Sequence, residues 1–316
     1  MIPLAASPRS SGARLSRYAM PLLFAAIFVA FSLLVPGFLS VVNLQGLMLS
    51  VSLIGTIAAT MMLVLALGEV DLSVGSIVAF SGVVAATAVS ATGSVPAGVL
   101  CGVAAGGVIG LVNGAAVAGL GINSLIATLA TMEVVRGLAY IVSNGDAVIV
   151  FDESFFEIGI GSLLGIGYPV IAMTVAFVVF GVVLNYMVFG KEVLAIGGNP
   201  SAARLAGIAV RRTRVLVFTL QGLVAGLAGV LLASRLSIGD PKASAGLELA
   251  VISACVLGGV SLTGGIATIT GVLVGVMIMG CVQNAMSLLN VPTFYQYLVR
   301  GGILFLAVAF DRLRSR

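Results

Sequence analysis

Four ionisable side chains stand inside otherwise apolar stretches of this chain: Glu69, Asp71, Glu133 and Arg136. At the centre of a membrane-crossing helix each costs roughly 2.5–3.5 kcal/mol on insertion scales, so each calls for a partner or a polar path. Glu133 and Arg136 are three positions apart and share one helix face, with Tyr140 one turn on. They either pair and tie two spans together or form the polar wall of a path. Asp71 and Ser73 lie between Gly68 and Gly75, where interrupted backbone needs hydrogen-bond partners. The plain role for Asp71 is to cap the next helix, and the functional role is contact with a solute. Gln221, Gln283 and Asn284 are amides within apolar runs, suited equally to a hydroxylated solute and to joining helices. Asp71, Ser73, Glu133, Arg136, Gln221 and Asn284 are therefore the candidate path residues.

A second kind of chemistry is concentrated between Gly190 and Arg214, which gathers Lys191, Glu192, Arg204, Arg211, Arg212 and Arg214. Asn199 fits an N-cap, Pro200 the first helical position and Gly207 the position just past the end. Between them Ser201, Ala202, Ala203, Arg204, Leu205 and Ala206 form a short helix. Its alanines allow close approach, and Leu205 is placed to plug into a groove. The segment from Gly198 to Gly207 reads as a helix on the membrane surface where another protein pushes; a solvated basic loop is the bland alternative.

The elements that carry these residues belong in a bilayer. Of 316 residues 60% are hydrophobic and 8% charged, with a mean hydropathy of +1.24. A soluble surface needs about 25% charged residues. The 41 glycines suit closely packed spans. The net charge of +4 sits in a few segments and reads as topology, with no nucleic-acid partner. There is no histidine, which removes the commonest metal ligand and general base, so no metal, cofactor or enzyme constellation is expected. Neither Lys191 nor Lys242 lies in a phosphate-binding glycine loop. Cys101, Cys255 and Cys281 lie in apolar runs and read as packing residues.

Charge sets the expected topology. The tail at 1–17, the loop at 190–214 and the arginines at 312, 314 and 316 should be cytoplasmic, so both termini are inside. The stretch from Ser143 to Gly167 carries Asp146, Asp152, Glu153 and Glu157 without a basic residue and should face outward. The fold class is all-α and polytopic: residues 18–316 form one transmembrane domain of about ten helices, with eight as runner-up. Expected spans are 18–35, 44–67, 76–91, 97–118, 124–142, 168–189, 215–233, 247–260, 266–288 and 295–310. The run at 247–260 is too short to cross unaided and reads as a broken helix. An internal repeat supports breaks in both halves: LGEVDLSVG (67–75) echoes LGGVSLTGG (257–265).

Four stretches carry a family resemblance: NSLIATLATMEVVRGLAYIVSNGDAV (123–148), DESFF (152–156), AIGGNPSAARLAGI (195–208) and ISACVLGGVSLTGGI (252–266). They resemble the inner-membrane permease of bacterial ABC sugar importers of the ribose, xylose and arabinose type. Similarity runs from about residue 43 to the C-terminus. The resemblance implies a permease homodimer in the bacterial inner membrane, two copies of a separate ABC ATPase subunit and a periplasmic sugar-binding protein. It also implies import of a monosaccharide, a pentose such as L-arabinose. The family's coupling helix falls on Gly198–Gly207. Glu69 departs from the family stretch GGVDLSVG, where glycine stands; the extra carboxylate either alters the path or faces a loop. An ion-coupled secondary transporter is the alternative from another class, with Asp71, Glu69 and Glu133 as its candidate carboxylates.

Overall fold

The computed structural model describes residues 11–314. The basic side chains of both ends, and most of the expected tail at 1–17, lie outside the described residues. The chain forms helices α1 (Ser11–Leu34), α2 (Val41–Ala66), α3 (Val74–Thr92), α4 (Val95–Gly119), α5 (Ser124–Val142), α6 (Glu153–Ile160) and α7 (Tyr168–Tyr186). They are followed by α8 (Val188–Gly198), α9 (Pro200–Leu205), α10 (Val210–Leu236), α11 (Leu247–Leu257), α12 (Ile269–Leu288) and α13 (Thr293–Arg314).

Seven of these, α2, α3, α4, α5, α7, α10 and α12, are long and apolar enough to cross a membrane. The all-α, multi-pass expectation therefore holds in its coarser form. Each expected span overlaps a helix, but the one at 168–189 runs across the break between α7 and α8, and α11 has only 11 residues. At 1.5 Å per residue it covers about half of a ~30 Å hydrocarbon core.

The second half of helix α2 shows no one-sided apolar stripe, and Ile57 to Ala66 are buried throughout. Such a helix has no stripe to turn toward lipid and takes the centre of the bundle. Helices α3, α4 and α10 pack around glycines. On α4, Gly102, Gly106, Gly110 and Gly114 recur every fourth residue and present one face. A Cβ at Gly106 would meet the Gly222 carbonyl of α10, with the Gly226 Cα at 2.8 Å. Backbones this close gain van der Waals contact that bulkier side chains would forbid.

Two segments are more ordered than the sequence reading supposes. Asp152 caps α6, its Oδ1 accepting from the N–H groups of Ser154 at 2.8 Å and Phe155 at 3.2 Å. Phe155 is fully buried, and the Ser234 hydroxyl donates to its carbonyl, so α6 closes over the end of α10. Val148–Ile149 pairs antiparallel with Ile238–Gly239 beside it. At the opposite end, residues 188–198 form the helix α8, which the reading of a polar loop overlooked.

Candidate functional site

Two sites lie at opposite ends of α2 and α11. The first is a cavity of about 540 Å³ reaching inward from the α6 end. Its polar lining comprises Ser50 of α2, Asp240 and Ser244 of the segment before α11, Gln283, Asn284 and Ser287 of α12, and Arg300 of α13. Leu53, Ile54, Leu232, Leu247 and Ala250 supply apolar walls.

This cavity exists because the chain between α10 and α11 is not helical. Ser237, at φ +56°, ends α10, and residues 240–246 run as turns before α11 begins. Irregular backbone within a membrane needs its polar groups satisfied from elsewhere. Arg136 of α5 does this: its Nη1 donates to the carbonyls of Pro241 at 2.6 Å and Ala243 at 2.8 Å. Glu248 reaches the start of α3, where a Cβ at Gly75 would meet its carboxylate, and the Ser244 carbonyl lies 2.7 Å from the same position. A carboxylate at a helix N-terminus is favoured by the helix dipole. Asn43 and Asn284 exchange side-chain hydrogen bonds of 2.9 Å in both directions and join α2 to α12 at the rim.

The second site is the junction beneath α9. Asn199 caps α9, its Oδ1 accepting from Ser201 N at 3.1 Å and Ala202 N at 2.9 Å. Pro200 takes the first turn, and Gly207, at φ +84°, follows the helix end. These three positions match the sequence expectation. Leu205 is 91% exposed, whereas Ala203 is 4% exposed and faces its own chain. The surface available to a partner is therefore Ser201, Ala202, Arg204, Leu205 and Ala206, without Ala203.

Just before α9, Gly197 lies against the ends of both repeat segments. A Cβ there would meet the Ala66 carbonyl and stand 2.5 Å from Gly265 N. Gly265 N itself donates to Ala66 O at 2.9 Å. The two halves of the repeat share one local side-chain turn. Asp71 Oδ1 accepts from Ser73 N at 2.9 Å and Ser73 Oγ at 2.6 Å. At the equivalent positions Ser261 Oγ accepts from Thr263 N at 3.3 Å and lies 2.9 Å from Thr263 Oγ1. Both are the side-chain turns that Asp and Ser favour.

The candidate path residues separate into different places. Asn284 lines the cavity. Arg136 holds the cavity's irregular wall from behind, and Glu133 is exposed on α5, so the two do not pair. Among the described residues the ion pair is Arg214–Glu69, 3.1 Å between Nε and Oε1. Glu69 thus faces α10 rather than the cavity. Asp71, Ser73 and Gln221 are fully buried. Asn113 Nδ2 donates to Ser73 Oγ at 2.8 Å, which ties Asp71 and Ser73 to α4. The sequence reading missed Ser50, Asp240, Ser244, Ser287 and Gly197. The signal for one of them, Asp240, was the polar run Gly239–Lys242, which looks like an ordinary turn.

A bundle of membrane-length helices with one broken helix, a polar cavity at one end and an exposed short helix at the other defines a transport permease. The chain belongs to the family described as branched-chain amino acid transport system / permease component, whose model matches residues 43–308. It is 66% identical over 300 residues to the L-arabinose ABC transporter permease protein AraH of Azospirillum brasilense, covering 95% of this chain and 88% of the relative. It is 48% identical over 313 residues to the L-arabinose transport system permease protein AraH of Escherichia coli K12, covering 98% and 95%. The ribose import permease protein RbsC of Bacillus subtilis 168 is 41% identical over 292 residues, covering 92% and 90%. No solved structure matches. The chain is a membrane permease of ABC transporters and not itself an enzyme.

Proposed function

We propose that this chain is the membrane subunit of an ATP-driven importer that carries L-arabinose into the cytoplasm. It works as a homodimer with two copies of an ATPase subunit and takes sugar from a periplasmic binding protein. Two of the relatives are named for L-arabinose, and the polar cavity offers hydroxyl, amide and charged groups to a polyol. Ten crossings, with both termini and α9 in the cytoplasm, follow if α1, α13 and the broken segment through α11 each cross once. The cavity then opens outward.

The observation that carries the reading is the seat of Gly197 on Ala66 and Gly265. Ala66 ends α2 and Gly265 closes the loop after α11, and both helices run on to the cavity wall at Ile54 and Leu247. From Ile54 to Ala66 is about 18 Å of helix. A push on α9 therefore reaches the cavity directly along the rod of α2, and reaches α11 only through the glycine-containing loop at 258–265.

The test is Leu205→Asp in the full transporter in proteoliposomes. The variant permease should insert and remain dimeric, lose retention of the ATPase subunit, and lose ATP-driven L-arabinose uptake at least ten-fold. Full uptake by the variant, or uptake driven by a proton or sodium gradient without the ATPase, overturns the reading.

A further inference from the structure

We propose that the groove between the end of α4 and the start of α10, lined in part by Arg204, binds an anionic phospholipid, its phosphate held by Arg211 and Arg212. The groove is a cavity of about 720 Å³ lined by those arginines with Ala118, Val215 and Leu216. A second hollow of about 410 Å³ shares Arg211 and continues along α4 past Leu120 and Val112. The result is a basic mouth on an apolar trough.

The mouth has unbalanced positive charge. Among the described residues Arg214 is neutralised by Glu69, whereas Arg204, Arg211 and Arg212 have no carboxylate within ion-pair distance. Two of the three stand in the first turn of α10, whose N-cap position, Ala209, offers no side-chain hydrogen bond. Arginine at the positive end of a helix opposes the dipole, and an anion there satisfies both the helix end and the guanidinium groups.

The trough selects a lipid rather than a free anion. Leu120 is 78% exposed, and Val112 and Leu216 are exposed with it, as wall for an acyl chain. Basic pockets between membrane helices at headgroup depth are matched to anionic lipids. The groove is also held open in advance. A Cβ at Gly114 would stand 2.8 Å from the Val215 Cα, so α4 and α10 are locked together just inside the mouth. Little ordering is then required on binding.

The test uses the full-length permease in neutral detergent, with added phosphatidylglycerol, phosphatidylcholine of the same chains, or inorganic phosphate. Phosphatidylglycerol should raise the thermal midpoint by about 2–4 °C, and the other two should not. The double variant Arg211→Gln/Arg212→Gln should lose that shift, with apparent affinity falling about five-fold per arginine. Lys191→Gln, a control in the exposed basic segment outside the groove, should keep it. Equal shifts with phosphatidylcholine or phosphate, or a full shift in the double variant, overturn the proposal. Should the double variant not fold, native mass spectrometry of the unaltered permease decides. A phosphatidylglycerol that resists exchange supports the site, and uniform exchange overturns it. Loss of the ATPase subunit by the double variant in pure phosphatidylcholine nanodiscs would assign the arginines to a protein contact and also overturn it.

Discussion

The α4–α10 contact and the wall of the polar cavity are built on opposite principles. Between α4 and α10, glycine faces backbone and neither helix is interrupted along the contact. Around the cavity, α11 starts halfway, its leading segment is irregular, and side chains of Arg136, Asn43 and Asn284 supply the bonds. The first arrangement has one packing solution, because backbone contacts cannot be repacked by changing rotamers. The second is held by a few replaceable hydrogen bonds, and such elements form the low-stability end of a fold that motion draws on. Even so, α11 is not loose on every side. Gly271 and Gly275 of α12 come against the carbonyls of Gly258 and Ala254, so α11 and α12 move together if they move.

The largest test of this contrast is Gly110→Leu. A Cβ at Gly110 would meet the Phe218 carbonyl and stand 3.0 Å from the Gly222 Cα. Backbone on both sides cannot give way, so overpacking exceeds the usual ~1–3 kcal/mol. Monodisperse protein after solubilisation should be lost, as read by size-exclusion chromatography. Gly46→Ala, on the cavity wall, has nothing within 4 Å of the new Cβ and should leave that profile unchanged. A well-folded Gly110→Leu protein would remove the distinction between the two regions.

An intermediate effect is expected at Arg136. Arg136→Met keeps an unbranched apolar stem but strips the Pro241 and Ala243 carbonyls of their charged donor, at roughly 1.5–3 kcal/mol per bond. Because the loss is confined to the irregular segment, the permease should still assemble. Hydrogen exchange should rise at residues 240–246 while the α4–α10 contact stays protected, and uptake should fall at least ten-fold. Exchange that rose equally in α4 would mean that the two regions are not separable.

The sequence revealed these regions unequally, for physical reasons. The helices were legible because each long apolar run has few ways to satisfy its backbone except as a helix. Asn199, Pro200 and Gly207 were legible because capping is local. The repeat was legible as a pattern, and its two side-chain turns follow from Asp71–Ser73 and Ser261–Thr263 alone. The Glu133–Arg136 pairing failed because spacing only places residues on one face. It does not reveal that a long guanidinium has better acceptors in carbonyls more than 100 positions away. The burial of Ala203 was not legible for a related reason: a six-residue helix gives no sequence signal for which side rests on its own chain. The cavity was hidden because Asp240, Pro241 and Lys242 resemble a surface turn until α5 is seen behind them.

The smallest expected effect concerns the rim. Asn43 and Asn284 make a closed pair, each amide donating to and accepting from the other, and Asn43 also donates to Phe38 O at 2.8 Å. Side-chain hydrogen bonds between membrane helices average about 0.6 kcal/mol and reach about 1.7, because unfolded segments also find partners. If the cavity side is held by replaceable bonds, the coupling between Asn43→Ala and Asn284→Ala in a double-mutant cycle should lie in that range. The Asn284 change carries an additional term, since it also removes an amide from the cavity, so uptake should fall more for Asn284→Ala than for Asn43→Ala at similar stability. Unfolding in mixed micelles measures the first quantity and initial uptake rates the second. A coupling of several kcal/mol would place this pair among the rigid contacts, and the cavity rim would then belong with α4 and α10 rather than with the part that moves.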